Sequence, residues 1–301
     1  MPKVSIVIPS YNRADYVSAT IDSILSQTFR DWELIFIDDG STDATESILA
    51  AYISDPRIKY FKQKNSERAV ARSYGISLAS GDYICLVDSD DIWYPEKLEK
   101  QLNTMYANPE LILCYASVDR IDLSGHLMKP ARRQYQGCSG DVYSELLKRN
   151  FIPSVTPMIR AEFARRVTPQ VTEFIPYEDW DFWLRLSRLG KFYHIREPLG
   201  AYRLHPGQSV QNVKAEKIEE VTLKVLDANA GTREAYSLAY LRVAYWYIVS
   251  GKLSLGRMKL YKALKLSSSR IGDYRWHGLL IASILAYISP ALVKKLLGSF
   301  H

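Results

Sequence analysis

Short hydrophobic runs alternate with helical patterns in the N-terminal part of the chain. The runs cover residues 4–9, 33–38, 58–63 and 83–87. The helical patterns between them place apolar residues on one face at Ile21, Ile24 and Leu25, then at Ile48 and Leu49, and then within residues 67–79. This alternation is typical of a parallel sheet covered by helices on both faces, and such sheets bind ligands at the carboxyl ends of their strands. We therefore predict an α/β fold.

The order of elements becomes mixed after Pro95, which marks the start of a helix. The pattern then predicts a strand over 111–119, a polar stretch over 122–140, a helix over 141–148, a strand over 155–160 and a helix over 179–188. From residue 214 onward only helical periodicity is present, with a helical hairpin over 235–266 that turns at Ser250 and Gly251. We predict two domains, residues 1–213 and residues 214–301.

The net charge of +6 is unevenly distributed. Residues 1–213 hold 25 basic and 27 acidic groups, whereas residues 214–301 hold 14 and 6. A slightly acidic ligand-binding region argues against a nucleic-acid partner and favours a metal ion that meets phosphates. The 301 residues, 47% of them hydrophobic, are enough for a sizeable core. Three scattered cysteines without a CxxC pair predict a reducing compartment, and an apolar N-terminal run that stops at Pro9 predicts a cytoplasmic chain without a leader.

Acidic side chains follow two of the predicted strands. Asp38 and Asp39 close the second strand, so at least one carboxylate is expected to face the ligand crevice. Asp39 could accept the imide N–H of a pyrimidine base, with Tyr11 stacking on that base. Residues 86–91 read Leu-Val-Asp-Ser-Asp-Asp and deliver three carboxylates to the same edge. Crowded carboxylates suit Mg²⁺ or Mn²⁺, which would hold a diphosphate.

A third acidic group, residues 178–181 (Glu-Asp-Trp-Asp), opens the helix predicted over 179–188. Because Asp179 and Asp181 point nearly opposite ways on a helix, only one of them can serve the site. Asp179 is either an N-cap or a general base that takes a proton from an attacking hydroxyl. Further along, Arg203 and His205 are expected to neutralise phosphate charge.

Six motifs occur in the order and spacing of family 2 glycosyltransferases, which the chain resembles over residues 3–210. They are residues 9–12 (Pro-Ser-Tyr-Asn), 38–43 (Asp-Asp-Gly-Ser-Thr-Asp), 65–72, 88–91, 178–179 and 202–205. The resemblance implies a GT-A fold and a metal-dependent hexosyltransferase that uses a nucleotide-sugar donor. The absence of the family's QxxRW signature argues for addition of one sugar per encounter.

The resemblance also assigns residue roles. It implies that Pro9, Tyr11 and Asp39 hold the base and that Arg72 and Asp88 contact the nucleotide. Asp90 matches the metal-binding member of the family's DxD motif, and Asp179 matches the catalytic base. These matches complete the expected sites: nucleotide binding by Pro9, Tyr11, Asp39, Arg72, Asp88 and Arg203; a Mn²⁺ or Mg²⁺ ion on Asp88, Asp90 and His205; and catalysis by Asp179.

The expected reaction is inverting transfer from a donor, with UDP the expected nucleotide, to a glycan or lipid-linked acceptor of bacterial surface polysaccharide. The alternative is a sugar-nucleotide-binding protein without turnover, against which the presence of both Asp90 and Asp179 argues. A response-regulator domain does not fit a 301-residue chain with a second acidic cluster. A dinucleotide-dependent oxidoreductase lacks its GxGxxG motif after the first strand.

An apolar stretch of sixteen residues, 278–293, lies near the C-terminus and is followed by Lys294 and Lys295. It is shorter than the ~20 residues that a membrane-spanning helix needs, and Pro290 interrupts it. Two roles stay open for this tail. It either lies in the membrane interface, which would make the protein peripheral at the inner face of the cytoplasmic membrane, or packs on protein, including a second copy in a homodimer.

Overall fold

The computed structural model describes residues 2–128, 137–168, 170–208 and 213–266. The chain divides into two compact units. Among the described residues, the first unit comprises those of 2–128, 137–143 and 151–206, and the second comprises 144–150 and those of 207–266. The apolar tail over 278–293, with its predicted membrane or dimer role, lies outside the described residues.

The first unit contains an eight-stranded sheet with strand order β3-β2-β1-β4-β7-β6-β8-β5. The strands are β1 (Val4–Ser10), β2 (Trp32–Asp38), β3 (Ile58–Lys62), β4 (Tyr83–Leu86), β5 (Ile92–Trp93), β6 (Leu111–Ile121), β7 (Met158–Arg160) and β8 (Lys191–Arg203). Pairings β1–β2, β2–β3, β1–β4 and β6–β8 are parallel, and the pairings of β7 and β5 are antiparallel. The prediction of a mixed, mainly parallel sheet is confirmed.

The helices found in the described part of the chain match most of the predicted helical patterns. They are α1 (Ala14–Leu25), α2 (Thr45–Leu49), α3 (Arg68–Leu78), α4 (Lys97–Ala107), α5 (Tyr143–Lys148), α6 (Ala161–Val167), α7 (Glu178–Ser187), α8 (Ala215–Ala228), α9 (Arg233–Val249) and α10 (Leu253–Leu266). Helix α6 was not predicted. The hairpin predicted over 235–266 is confirmed as α9 and α10 of the second unit.

Helices cover both faces of the parallel half of the sheet. Alternate residues of β1, including Ile6, join the core cluster that contains Ile21 of α1, and every residue of β1 is buried. On the opposite face, α3 approaches β1 so closely that a Cβ on Gly75 would lie 2.3 Å from Cγ1 of Val7. A glycine at this position lets the helix pack against the strand, and the close packing fixes α3 relative to the carboxyl ends of the strands.

Strand β8 is the largest element that the sequence pattern did not predict. It pairs in parallel with β6, with several register shifts, and in antiparallel fashion with the short strand β5. Its first half is largely exposed and carries charged residues, and Pro198 interrupts its apolar pattern. The strand therefore has neither the continuous apolar run nor the strict alternation that marks a strand in sequence. Its C-terminal end delivers Arg203 to the candidate site.

None of the helices within the described ranges combines the length and the apolar character needed to cross a bilayer.

Candidate functional site

The predicted acidic groups lie together at one edge of the sheet, where parallel strands β1, β2 and β4 end. Ser10 pairs with Asp38 across β1 and β2, and Val7 pairs with Leu86 across β1 and β4. The chain continues from these ends into the loops that carry the predicted nucleotide and metal residues. This is the edge at which open α/β sheets bind ligands.

Asp38 and Asp39 have different surroundings although they are adjacent. Oδ1 of Asp38 accepts the backbone N–H of Ser41 at 2.8 Å, and Oδ2 accepts the hydroxyl of Tyr60 at 2.6 Å. Both oxygens of Asp38 therefore hold the turn and the neighbouring strand. Gly40 follows with φ +80°, and a Cβ there would lie 2.9 Å from the backbone nitrogen of Asn65.

The carboxylate of Asp39 is held through one of its two oxygens. Its Oδ1 accepts the side-chain N–H of Gln63 at 2.6 Å and the backbone N–H of Ser66 at 2.9 Å. Both contacts fall on Oδ1, so Oδ2 is the oxygen that can accept an N–H from a base. The side chain of Tyr11 is 44% exposed. Pro9 is buried within β1 and pairs with Ile37 of β2.

Asp88 is held by an arginine and a serine. Oδ1 of Asp88 accepts a hydrogen bond from Nη2 of Arg72, and Oδ2 accepts the hydroxyl of Ser154 at 3.0 Å. Burial alone would raise the pKa of Asp88, but the Arg72 ion pair, Arg68 and the Ser154 hydrogen bond outweigh it and hold the pKa below its usual range. Asp88 is therefore ionised, and Arg72 lies against the acidic loop. The predicted contact of Arg72 with a nucleotide stays a prediction.

Asp90 lies between two cationic or titratable side chains. Nε2 of His205 lies 2.9 Å from Oδ2 of Asp90, and Nε of Arg13 lies 3.2 Å from the same oxygen. The structure thus brings together Asp90 and His205, which the sequence analysis assigned to one metal site. Arg13 was not predicted.

The last carboxylate of the loop, Asp91, has a structural role. It is buried, and its Oδ1 accepts the backbone N–H of Arg203 at 3.0 Å. Burial and the neighbouring charges of Asp90 and Asp88 raise the pKa of Asp91 well above its usual value.

Arg203 is 3% exposed and contacts the backbone of two loops. Its Nε donates to the carbonyl of Asp90 at 2.9 Å, and its Nη1 donates to the carbonyls of Asp122 at 3.2 Å and Leu123 at 3.0 Å. The structure therefore places Arg203 beside the acidic loop, where these bonds fix the course of the loop. Its predicted contact with the nucleotide stays a prediction.

Helix α7 brings Glu178 and Asp179 to the same edge. Oε1 of Glu178 accepts Nη1 of Arg72 at 2.8 Å and also pairs with Nε of Arg68. Burial would raise the pKa of Glu178, but these two guanidinium groups hold it below its usual value. Arg72 therefore joins Asp88, after β4, to the first turn of α7.

Asp179 has a raised pKa. Burial and the adjacent charge of Glu178 raise the pKa of Asp179 to about 6, although Arg72 and Arg68 oppose the shift. Asp181 instead pairs with Arg185, at 2.8 Å, within the helix. Of the two aspartates, Asp179 is thus the one that belongs to the network around Arg72, and it is ionised near neutral pH with a higher proton affinity than an exposed carboxylate.

The donor atoms of the acidic loop fit a hard divalent cation. Asp88 and Asp90 supply carboxylate oxygens, the ligands that Mg²⁺ and Mn²⁺ prefer, and His205 lies against one of them. Among the described residues, no three Asp, Glu, His or Cys side chains converge on one point as a metal cage.

Arg68, Arg13, Gln63 and Ser154 were missed by the sequence analysis, and Glu178 was noted only as part of a motif. Arg68 and Arg72 lie one helical turn apart on α3, and this spacing predicts a shared face. The sequence gives no sign that this face meets Glu178, since 110 residues separate Arg68 from its partner.

Residues 5–168 match the sequence model of the family described as glycosyl transferase family 2. TuaG of Bacillus subtilis strain 168, a glycosyltransferase assigned to teichuronic acid biosynthesis, is 35% identical over 206 residues, which are 67% of this chain and 79% of TuaG. The chondroitin synthase of Escherichia coli is 33% identical over 230 residues, 75% of this chain and 32% of the synthase.

Two solved structures are similar in fold. Residues 1–349 of S. aureus TarS, in complex with UDP-GlcNAc, match with a TM-score of 0.62 and 16% identity over 91% of each chain. The mannosyltransferase PcManGT from Pyrobaculum calidifontis, in complex with GDP-Man and Mn²⁺, matches with a TM-score of 0.57 and 14% identity over 99% of this chain and 86% of that one. At these identities the likeness concerns the fold, which agrees with the expected GT-A architecture.

Proposed function

The chain belongs to glycosyl transferase family 2, and we propose that it transfers one sugar from a UDP-sugar to an acceptor hydroxyl, with inversion at the anomeric carbon. The observation that carries the proposal is the ion-pair chain from Asp88 through Arg72 to Glu178. This chain joins the acidic loop after β4 to the first turn of α7. A leaving diphosphate at the loop and a base at Asp179 would then lie on opposite sides of one sugar.

The nucleobase end of the proposed site is formed by Asp39 and Tyr11. Gln63 and Ser66 hold Oδ1 of Asp39, so its Oδ2 would accept the imide N–H of uracil, while the exposed ring of Tyr11 would pack on the base. A cytosine base has no N–H at N3, and guanine presents two adjacent donors, N1–H and the 2-amino group, where Asp39 offers one oxygen. TarS, whose fold this chain shares, binds UDP-GlcNAc, whereas PcManGT binds GDP-Man. The choice of uracil therefore rests on Asp39.

Asp179 would act as the general base. The acceptor oxygen forms a bond to the anomeric carbon, its proton passes to the Asp179 carboxylate, and the bond between the anomeric carbon and the phosphate oxygen breaks with its electron pair on the diphosphate. A pKa of about 6 leaves Asp179 ionised at neutral pH yet more basic than an ordinary aspartate. Inversion follows because the attack comes from the face opposite the leaving group.

A Mn²⁺ or Mg²⁺ ion held by Asp90 with Asp88 and His205 would stabilise negative charge on the diphosphate. Arg13 contacts Asp90, and Arg203 fixes the backbone of the same loop. Both arginines would thus hold the loop in one conformation while the nucleotide binds.

We propose that the acceptor is a glycan or a lipid-linked oligosaccharide of bacterial surface polysaccharide. The support comes from the relatives, which include a protein assigned to teichuronic acid synthesis and a chondroitin synthase. The proposed domain division near residue 213 places every residue named for catalysis or donor binding in the first domain.

A donor screen tests the proposed function. The full chain is incubated with UDP-, dTDP-, GDP- and CMP-linked sugars with and without Mn²⁺, and release of the free nucleotide is followed together with thermal stabilisation. We expect uracil or thymine donors to stabilise the protein and to be consumed. Consumption of GDP-sugars alone would contradict the role of Asp39, and stabilisation without any nucleotide release would favour a sugar-nucleotide-binding protein without turnover.

A further inference from the structure

We propose that Arg68 is a positioning residue that orients the first turn of α7 and so sets Asp179 for proton transfer. This inference rests on the proposed function, because it assumes that Asp179 is the base. Arg68 belongs to none of the roles that the sequence analysis assigned. Its side chain is 25% exposed at the edge of the site.

The contacts of Arg68 all converge on the segment that begins α7. Its Nε and Nη2 pair with the two carboxylate oxygens of Glu178, with Nη2 at 3.0 Å from Oε2, and Nη2 also donates to the carbonyl of Pro176 at 3.0 Å. Such a two-point pair fixes the direction of a carboxylate as well as its distance. Because Asp179 follows Glu178 in the chain, a shift of this pair would displace Asp179.

Arg72 cannot perform this task alone. It shares its guanidinium between Glu178 and Asp88, so its position depends on the acidic loop as well as on α7. The hydrogen bonds and ion pairs that Arg68 makes with the described residues include none to that loop. The hydrogen bonds of Arg68 therefore restrain α7 without passing through the acidic loop, although the charge of Arg68 also acts on Asp88.

The backbone before Arg68 is held in a strained conformation. Glu67 has φ 77° and ψ 150°, a region that residues other than glycine rarely adopt, and its carbonyl accepts the first N–H groups of α3 from Val70 and Ala71. Such strain persists where the surrounding structure requires it and is concentrated at functional sites. Here the strained residue directly precedes Arg68, the first residue of α3, and the side chain of Arg68 reaches Glu178.

The charges around Asp179 give this role a measurable consequence. The ionised groups that act on Asp179 include Glu178 on its own helix and Arg68 and Arg72 on α3. Without Arg68, the guanidinium of Arg72 is the remaining cation of this group, and Arg72 also pairs with Asp88. The proton affinity of Asp179 should then rise, and the protonated carboxyl is inactive as a base. Loss of Arg68 should therefore move the acid limb of the pH–rate profile to higher pH.

The test compares the variants Arg68→Met, Arg68→Lys and Asp179→Asn with the wild type. The assay measures release of UDP from the UDP-sugar that is consumed fastest in the donor screen, with water in place of the acceptor. For Arg68→Met we expect the acid limb of the pH–rate profile to move up by about one pH unit. We expect kcat at pH 6 to fall about 10-fold or more. The donor KM should stay within about 2-fold of the wild-type value, because Arg68 makes no hydrogen bond to the acidic loop. Added guanidinium should restore part of kcat.

Arg68→Lys keeps the charge but loses the two-point contact. We expect its acid limb to stay at the wild-type pH while kcat falls. Arg165→Met serves as the control, since Arg165 is an exposed arginine that donates to the carbonyl of Ala79 rather than to a carboxylate of the site. Its profile should match that of the wild type.

The outcomes separate this inference from the proposed function. If Asp179→Asn is inactive while Arg68→Met keeps the wild-type acid limb, or loses activity equally at every pH without rescue by guanidinium, the role of Arg68 is wrong and the base assignment stands. If Asp179→Asn turns over like the wild type, the base assignment itself is wrong, and the role of Arg68 is wrong with it.

Discussion

Nη1 of Arg72 lies 2.8 Å from Oε1 of Glu178, although 106 residues separate them in the chain. The Nη2 of the same guanidinium binds Asp88. One buried cation therefore joins the loop expected to face the diphosphate to the helix that carries Asp179. Burial would lower the pKa of Arg72, but Asp88 and Glu178 raise it, so the cation is permanent.

Replacement of Arg72 by lysine should abolish this link while keeping the charge. A single ammonium group cannot reproduce two hydrogen bonds in a fixed plane, so Asp88 and Glu178 would compete for it. We expect Arg72→Lys to lower the free energy of unfolding by at least about 2 kcal/mol and to reduce donor affinity and turnover together. Arg57→Lys, which alters a local pair with Asp55, is the control. Wild-type donor affinity and turnover in Arg72→Lys would contradict the link.

Replacement of Asp39 by asparagine tests the contact with the base. The carboxylate is buried and fixed by Gln63 and Ser66, so the amide should fold in its place but present a donor or a weaker acceptor to the imide N–H. We expect UDP affinity, measured by calorimetry, to fall by about 1.5–3 kcal/mol. Asp31→Asn, at an exposed aspartate, should bind UDP normally. Unchanged affinity in Asp39→Asn would show that the base is held elsewhere.

Chelation tests the proposed metal at Asp90. We expect excess EDTA to stop UDP release and added Mn²⁺ or Mg²⁺ to restore it. The reason is that the metal would stabilise the negative charge of the departing diphosphate. Asp90→Asn should weaken the Mn²⁺ concentration dependence of donor binding, whereas Asp82→Asn, which alters an exposed pair with Lys3, should not. Full turnover in EDTA would count against a metal.

The proton affinity of Asp179 also predicts how its replacement changes stability. The pKa rises from the ordinary aspartate value of 3.8 to about 6 in the folded protein, so the folded state holds the proton more tightly than the unfolded state. This contribution is fully present below about pH 4 and is lost as the pH rises through about 6. At pH 7.5 the ionised carboxylate is therefore destabilising.

Asp179→Asn removes that charge at every pH. We expect the variant to be more stable than the wild type at pH 7.5 by about 1–2 kcal/mol, or a few degrees in Tm, and to have no such advantage at pH 4. Differential scanning calorimetry at both pH values measures this difference. A variant less stable than the wild type at pH 7.5 would mean that the carboxylate is stabilised by its surroundings.

The sequence predicted the parallel half of the fold well, because β1, β2 and β4 are continuous buried runs, of which β2 and β4 lead into acidic groups. It also singled out Asp39, Asp90 and Asp179, which lie just after β2, in the loop after β4 and in the first turn of α7. Strand β8 escaped prediction because its exposed residues and Pro198 obscure the pattern. The pairing of Arg68 and Arg72 with Glu178 depends on tertiary packing that no local pattern encodes.

The most direct test of the proposed mechanism measures the turnover of Asp179→Asn together with its affinity for UDP. The control is Glu173→Gln, which replaces an exposed carboxylate in the 3-10 turn Thr172–Phe174. The account predicts that the wild type loses activity below about pH 6. It predicts that Asp179→Asn loses at least about 100-fold in kcat at every pH while binding UDP within about 3-fold of the wild type. Near-normal turnover in Asp179→Asn would contradict the assignment of the base.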